Sequence, residues 1–202
     1  MSLIVKTSSG PKVAPPDEGS YAAVCTQLVD IGLQHISYEG SEKDVNQVVI
    51  VWELAGETID LGEKGQVPRT VSKTYTMSLH ERSGLRKDLK SWRGREFTDD
   101  ELKAFDLSNV LGAPCMIQIV HKVTPNGTYA NIASIMSLPK GMPKPQPSME
   151  LIAFDADTAS EADLEKLPGW IADKVKASAT WVGKSAGQLA EALEDDDEEL
   201  PF

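Results

Sequence analysis

Between Val71 and Leu138 the spacing of apolar residues changes from every second position to a helical spacing and back again. Over Val71–His80, Tyr75, Met77 and Leu79 point one way, and Thr74, Thr76, Ser78 and His80 the other. That is the period of a half-buried strand. Leu85, Leu89 and Trp92 then fall at i, i+4 and i+7, one apolar stripe of a helix, and Gly94 ends it. Thr98-Asp99-Asp100-Glu101 is a capping-box pattern that starts a short second helix through about Phe105. Cys115–Lys122 and Tyr129–Leu138 alternate as strands, joined by Thr124-Pro125-Asn126-Gly127, a hairpin turn with Asn-Gly at its tip.

Two strands come earlier. Residues 20–36 read as a long strand containing Gly32, which predicts a bulge or sharp bend. Residues 39–44 are a polar turn. In Val45–Leu54, Val48, Ile50, Trp52 and Leu54 line one face and Val49 and Val51 the other. Residues 55–68 hold three glycines and Pro68 and read as an extended loop. The order is strand, strand, strand, helix, strand, strand. A mainly β chain with this order fits a five-stranded Greek-key barrel of the OB type, whose helix lies between strands 3 and 4. Other small barrels also have five strands, so the helix position is the better discriminator.

The expected organisation follows from these segments. Residues 1–19, rich in turn residues, are a flexible N-terminal arm, and 20–138 are the barrel. Residues 139–148 are a Pro-rich linker, with four prolines between Pro139 and Pro147. Residues 149–190 are a helical appendage too small for its own core. It should pack on the barrel with Trp170 and Trp181 as anchors. Residues 191–202 are a disordered acidic tail ending Leu200-Pro201-Phe202.

Charge is unevenly distributed. The chain carries a formal net charge of -11, which at first argues against nucleic acid. Residues 69–95, however, hold eight bases (Arg69, Lys73, Arg82, Arg86, Lys87, Lys90, Arg93, Arg95) and two acids (Glu81, Asp88). A strand of DNA meets this local field rather than the total. From Glu191 to Phe202 there are seven acids and no base.

That tail changes abruptly from Glu194-Asp195-Asp196-Asp197-Glu198-Glu199 to Leu200-Pro201-Phe202. It resembles the C-terminal tip of bacterial single-stranded DNA-binding proteins, an acidic run followed by a terminal Pro-Phe. Arg82–Glu101 also resembles a segment of small phage-encoded proteins from replication gene clusters, some of them assigned as OB-fold single-stranded DNA-binding proteins. These resemblances imply sequence-independent binding of single-stranded DNA in phage replication or recombination. They imply that Asp195, Asp196, Asp197, Glu198, Glu199, Leu200, Pro201 and Phe202 recruit replication or recombination proteins. The bland reading of the tail is a solubilising charge run.

Single-strand binding without sequence preference needs cations for phosphates and aromatic faces for bases. The candidate DNA-binding residues are therefore Lys73, Tyr75, Arg82, Arg86, Lys87, Arg93, Arg95 and Tyr129. For Tyr75 and Tyr129 core burial and stacking both remain open, whereas Trp52 and Trp92 lie on apolar stripes and belong to the core. In an OB barrel the helix plugs one end, so Arg86, Lys87 and Lys90 are either solvated helix charges or DNA contacts. Lys73, Arg82, Arg93 and Arg95 are the better candidates.

Cys25 and Cys115 belong to no Cys-x-x-Cys pair, so neither a disulfide framework nor a zinc site is expected. No HExxH, Walker loop or nucleophile elbow appears. The expectation is a non-enzymatic protein without cofactor or metal. Asp99-Asp100-Glu101 could mimic a metal cluster, but helix capping explains it. An adaptor joining replication proteins without binding DNA is the alternative, and a nuclease is the third reading. The longest apolar run, Val48–Trp52, is far short of a membrane span, and Met1–Lys6 is no secretory signal. The cytoplasm, that of the host if the chain is phage-encoded, is the expected location, with no membrane partner. The pattern sets no oligomeric state.

Overall fold

A computed structural model describes residues 14–38, 40–62, 65–125 and 127–186. The expected N-terminal arm before Ala14 and the acidic tail lie outside these residues. The described chain is mainly β, with strands β1 (Gly19–Tyr38), β2 (Ser41–Asp60), β3 (Gln66–Thr76), β4 (Pro114–Thr124), β5 (Gly127–Met136) and β6 (Ile152–Phe154). The helices are α1 (Gly84–Arg93), α2 (Asp99–Lys103), α3 (Glu161–Leu164) and α4 (Gly169–Lys176), followed by helical residues 179–186.

The sheet runs β3-β2-β1-β4-β5, all antiparallel, with β6 parallel to β1. It is not closed. Cα atoms of β3 and β5 come within 8 Å of each other, yet no ladder joins them. Helix α1 spans the two edges instead. Its Asp88 takes hydrogen bonds from Lys73 and Tyr75 of β3, and its Ser91 carbonyl takes one from Ser137 N, just past β5. The mainly β expectation holds as an antiparallel sheet that, among the described residues, is open between β3 and β5.

The expected loop at 55–68 is corrected. β2 continues to Asp60 and β3 starts at Gln66, with Thr58↔Pro68 and Ile59↔Val67 in register. Gly56 misleads because it lies in a bulge between Glu53 and Thr58. Pro68 misleads because β3 is an edge strand, where a missing N–H can go unnoticed.

β1 is bent by two irregularities, between Cys25 and Gln27 and between Asp30 and Leu33. At the first it exchanges partners. Gly19–Val24 pair with β4, and Gln27–Val29 pair with β6. The second contains Gly32, at φ +72°, as the strand pattern anticipates.

Alternation along β2 serves two cores. Val48, Ile50, Trp52 and Leu54 face one, filled from the other side by Leu85, Leu89 and Trp92 of α1 and by Cys115, Ile117 and Ile135. The indoles of Trp52 and Trp92 lie 5.7 Å apart. Val49 and Val51 face a second core made with Phe154, Leu164, Ile171, Val175 and Trp181. Each such fully buried side chain contributes about 1.5–3 kcal/mol. Two expectations about the appendage need correction. It contains a strand, β6, because Ile152 and Phe154 alternate beside β1. Trp181 is an anchor, stacked on Phe154 at 6.1 Å, but Trp170 is 47% exposed.

Residues before and between these units are held by side chains. Ser148 N, Ser148 Oγ and Met149 N all donate to the buried Glu53 carboxylate, at 3.0, 2.6 and 3.1 Å. Near the start of β1, the Ala14, Pro16 and Asp17 carbonyls accept from Arg69, His121 and Tyr21 respectively. No described helix is long and apolar enough to cross a membrane.

Candidate nucleic-acid interface

β3 and α1 carry most of the basic segment, and their packing decides which cations face outward. Lys73 and Tyr75 lie on the core-facing side of β3, opposite Ile50 and Val48. Lys73 Nζ donates to Asp88 Oδ2 at 2.6 Å and Tyr75 Oη donates to the same oxygen at 2.8 Å. Tyr75 is only 5% exposed. Burial, and then the negative Asp88, push its phenol pKa far up, so it remains a donor. Tyr75 therefore presents no ring face to a base, and Lys73 is a partner of Asp88 rather than a free cation. The same buried acid thus engages two residues expected at the DNA face.

The next turn repeats the pattern. Thr98 and Glu101 form the anticipated capping box. Glu101 then collects two arginines. Arg95 grips it with Nη1 on Oε2 and Nη2 on Oε1, at 2.9 and 2.7 Å, and Arg93 Nη2 donates to the same Oε1. The Arg95 hydrogen bonds, with the Thr98 N–H next, lower the Glu101 pKa to about 2. Arg93 is only 12% exposed and packs over the rings of Phe97 and Phe105, at 4.5 and 4.8 Å. Lys90 pairs with Glu96. Arg69 donates to the Ala14 carbonyl at 2.9 Å. Folding thus commits the guanidinium groups of Arg93 and Arg95, both expected as phosphate contacts, to Glu101.

What remains is smaller. Arg82 and Lys87 are exposed and, among the described residues, have no carboxylate partner. Arg86 donates to the Leu79 carbonyl at 3.1 Å and is half-buried. These three flank the start of α1. Tyr129 is elsewhere, 51% exposed on β5 and directly across from Lys122 of β4. That pair lies beyond Gly19↔Ile119, the last β1–β4 pairing. Arg82 follows the end of β3, where Thr76 pairs with Gln47 near the level of Asp30. The structure thus places Tyr129 beyond the start of β1 and the Arg82 group near its middle, rather than gathering the candidates.

Lys122 was not among the sequence candidates. Its signal was present in the hairpin. Thr124 and Gly127 flank the turn, so counting back two residues on each side puts Lys122 opposite Tyr129. Trp170 with Lys174 was missed as a surface feature, since an indole in a short amphipathic segment reads as an anchor.

Among the described residues no group of three or more histidine, cysteine, aspartate or glutamate side chains could hold a metal ion. Asp99-Asp100-Glu101 is the first turn of α2. Asp195, Asp196, Asp197, Glu198, Glu199, Leu200, Pro201 and Phe202 lie outside the described residues. No protein-family model matches this chain, and no curated protein matches it.

Proposed function

We propose that this chain binds single-stranded DNA without sequence preference, in the replication or recombination of a phage genome. The observation that carries the reading is the Tyr129–Lys122 pair, a half-open aromatic ring with an ammonium directly across the strand. A ring face takes a base and the cation takes the neighbouring phosphate. The fold gives support. The order β3-β2-β1-β4-β5, with a helix between the third and fourth strands, supports reading the open sheet as OB-type. In that fold the loop between strands four and five is one of those that hold oligonucleotides, and here it is the hairpin carrying Tyr129. Arg82, Arg86 and Lys87 extend the contact as a second cationic site. The acids from Asp195 to Glu199 and the Leu200-Pro201-Phe202 segment are assigned to capture of replication or recombination proteins, whose pocket would need a cation and a slot for the ring.

A second reading has its own observation. Lys73, Lys90, Arg93 and Arg95 are all paired with acids. That takes four of the eight bases of the 69–95 segment and favours an adaptor that joins two replication proteins without touching DNA. Fluorescence anisotropy with labelled single-stranded and duplex oligonucleotides, at low and moderate salt, separates the two. The DNA reading expects preference for the single strand and weakening with salt. Equal affinity for duplex, or no binding at low salt, overturns it.

A further inference from the structure

Of the four tryptophans, Trp52, Trp92 and Trp181 are buried and Trp170 alone is exposed. An indole left half in water is a large uncovered apolar surface, so its setting matters. Trp170 is held on a rigid support. The next residue on α4, Ile171, and Val175 one turn later are fully buried in the second core. Gln34 of β1 donates to the Lys174 carbonyl at 3.1 Å, pinning the helix to the sheet. One helical turn from Trp170, Lys174 Nζ lies 5.8 Å from the ring centroid. Among the described residues neither Lys174 nor Lys176 has a carboxylate partner. Asp173 is the only acid of α4, so the helix is net positive.

We infer that Trp170 and Lys174 form a second single-strand contact on the appendage, the indole stacking on a base and Lys174 meeting an adjacent phosphate. This rests on the single-strand reading above and extends it from the sheet to α4. The chemistry selects nucleic acid over an apolar protein surface, because a lone ring beside an ammonium group without a carboxylate partner matches a base beside a phosphate.

The fluorescence of the full chain tests it, because the other three indoles are shielded. Titration with oligothymidine is expected to quench the indole signal, saturating at the affinity that anisotropy gives. Trp170→Phe should abolish the quench and keep the affinity within about twofold, since a phenyl ring still stacks. Trp170→Ala should weaken binding about 5- to 150-fold, and an abasic oligonucleotide should bind without quenching. Lys174→Gln, which leaves the ring in place, should weaken binding and flatten its salt dependence. If anisotropy reports binding while wild-type fluorescence is unchanged and Trp170→Ala binds as well as wild type, the inference falls and the DNA function stands. Equal quenching by the abasic strand also overturns stacking. If no oligonucleotide changes the anisotropy, the function and the inference fall together. In that case, capture of a protein by wild type but not Trp170→Ala would make α4 a protein-docking face.

Discussion

Lys73 Nζ lies 2.6 Å from Asp88 Oδ2, joining the middle of an edge strand to the helix that spans the gap in the sheet. The same carboxylate oxygen holds Tyr75 Oη at 2.8 Å. A single buried acid thereby takes a cation and an aromatic ring that the sequence offers to DNA, and uses both to fix α1 against β3.

Lys73→Ala should therefore act on stability and not on DNA. It removes a charge-assisted bond from a nearly buried carboxylate and leaves Tyr75 as the remaining partner. The expected loss is about 1–3 kcal/mol, read as a lower urea midpoint with an unchanged slope. Oligonucleotide affinity should stay at the wild-type value. A large loss of affinity in a variant of unchanged stability would show that Lys73 leaves Asp88 to reach phosphate.

Glu101 gives a pH signature. Its pKa is lowered from an ordinary 4.5 to about 2, chiefly by the Arg95 hydrogen bonds and then by the Thr98 N–H. A carboxylate depressed in the folded state contributes stability that is complete above its unfolded pKa and is lost as pH falls through the folded one. The loss should therefore run from about pH 4.5 down to about 2. Thermal melts across that window should show a steeper decline for wild type than for Glu101→Gln, which cannot titrate there. Parallel curves would mean that the arginine cluster does not hold the carboxylate in solution.

How far the sequence could be read depends on which interactions are local. The alternation of β2 announced both of its faces, because period-two burial is written residue by residue. The capping box at Thr98–Glu101 and the stripe Leu85, Leu89, Trp92 were legible for the same reason. The pairings of Lys73 with Asp88 and of Arg95 with Glu101 were not, since a basic residue looks alike in sequence whether its partner is solvent, phosphate or a carboxylate on the next element. Neither closure of the sheet nor exposure of Trp170 could be read locally. Both depend on how α1 and α4 dock, and docking is a property of surfaces far apart in the chain.

Gly32 marks the point where the appendage meets the sheet. Its φ is +72°, and an added Cβ would sit 2.8 Å from Ser178 Oγ and 2.8 Å from Thr180 Cβ. Leu33 N also donates to Thr180 Oγ1 at 2.9 Å, so these chains cannot simply move apart. Gly32→Ala should cost about 1–2 kcal/mol for the left-handed backbone and a further 1–3 kcal/mol or so for overpacking. The damage should concentrate in the second core. Amide exchange should therefore quicken in residues 152–181 before it does in β4 and β5. Uniform quickening across both cores would mean that they unfold as one unit.

The DNA contact itself is tested by comparing residues that look equivalent in sequence. Arg95 is 55% exposed, yet its Nη1 and Nη2 both donate to Glu101, so a phosphate would have to compete with a bidentate carboxylate. Lys122 has no such partner among the described residues and sits across from Tyr129. Lys122→Gln should lower affinity at low salt and reduce the log-log salt slope by about 0.7, the contribution of one single-strand phosphate. Tyr129→Ala should cost roughly 1–3 kcal/mol of binding at every salt concentration, because stacking is not screened. Arg95→Gln should change neither the affinity nor the slope. The three titrations thus separate charge, ring and internal ion pair. If Arg95→Gln alone weakens binding, the strand follows the α1–α2 corner and not the β4–β5 hairpin, and the Tyr129 interface is wrong even though the protein binds DNA.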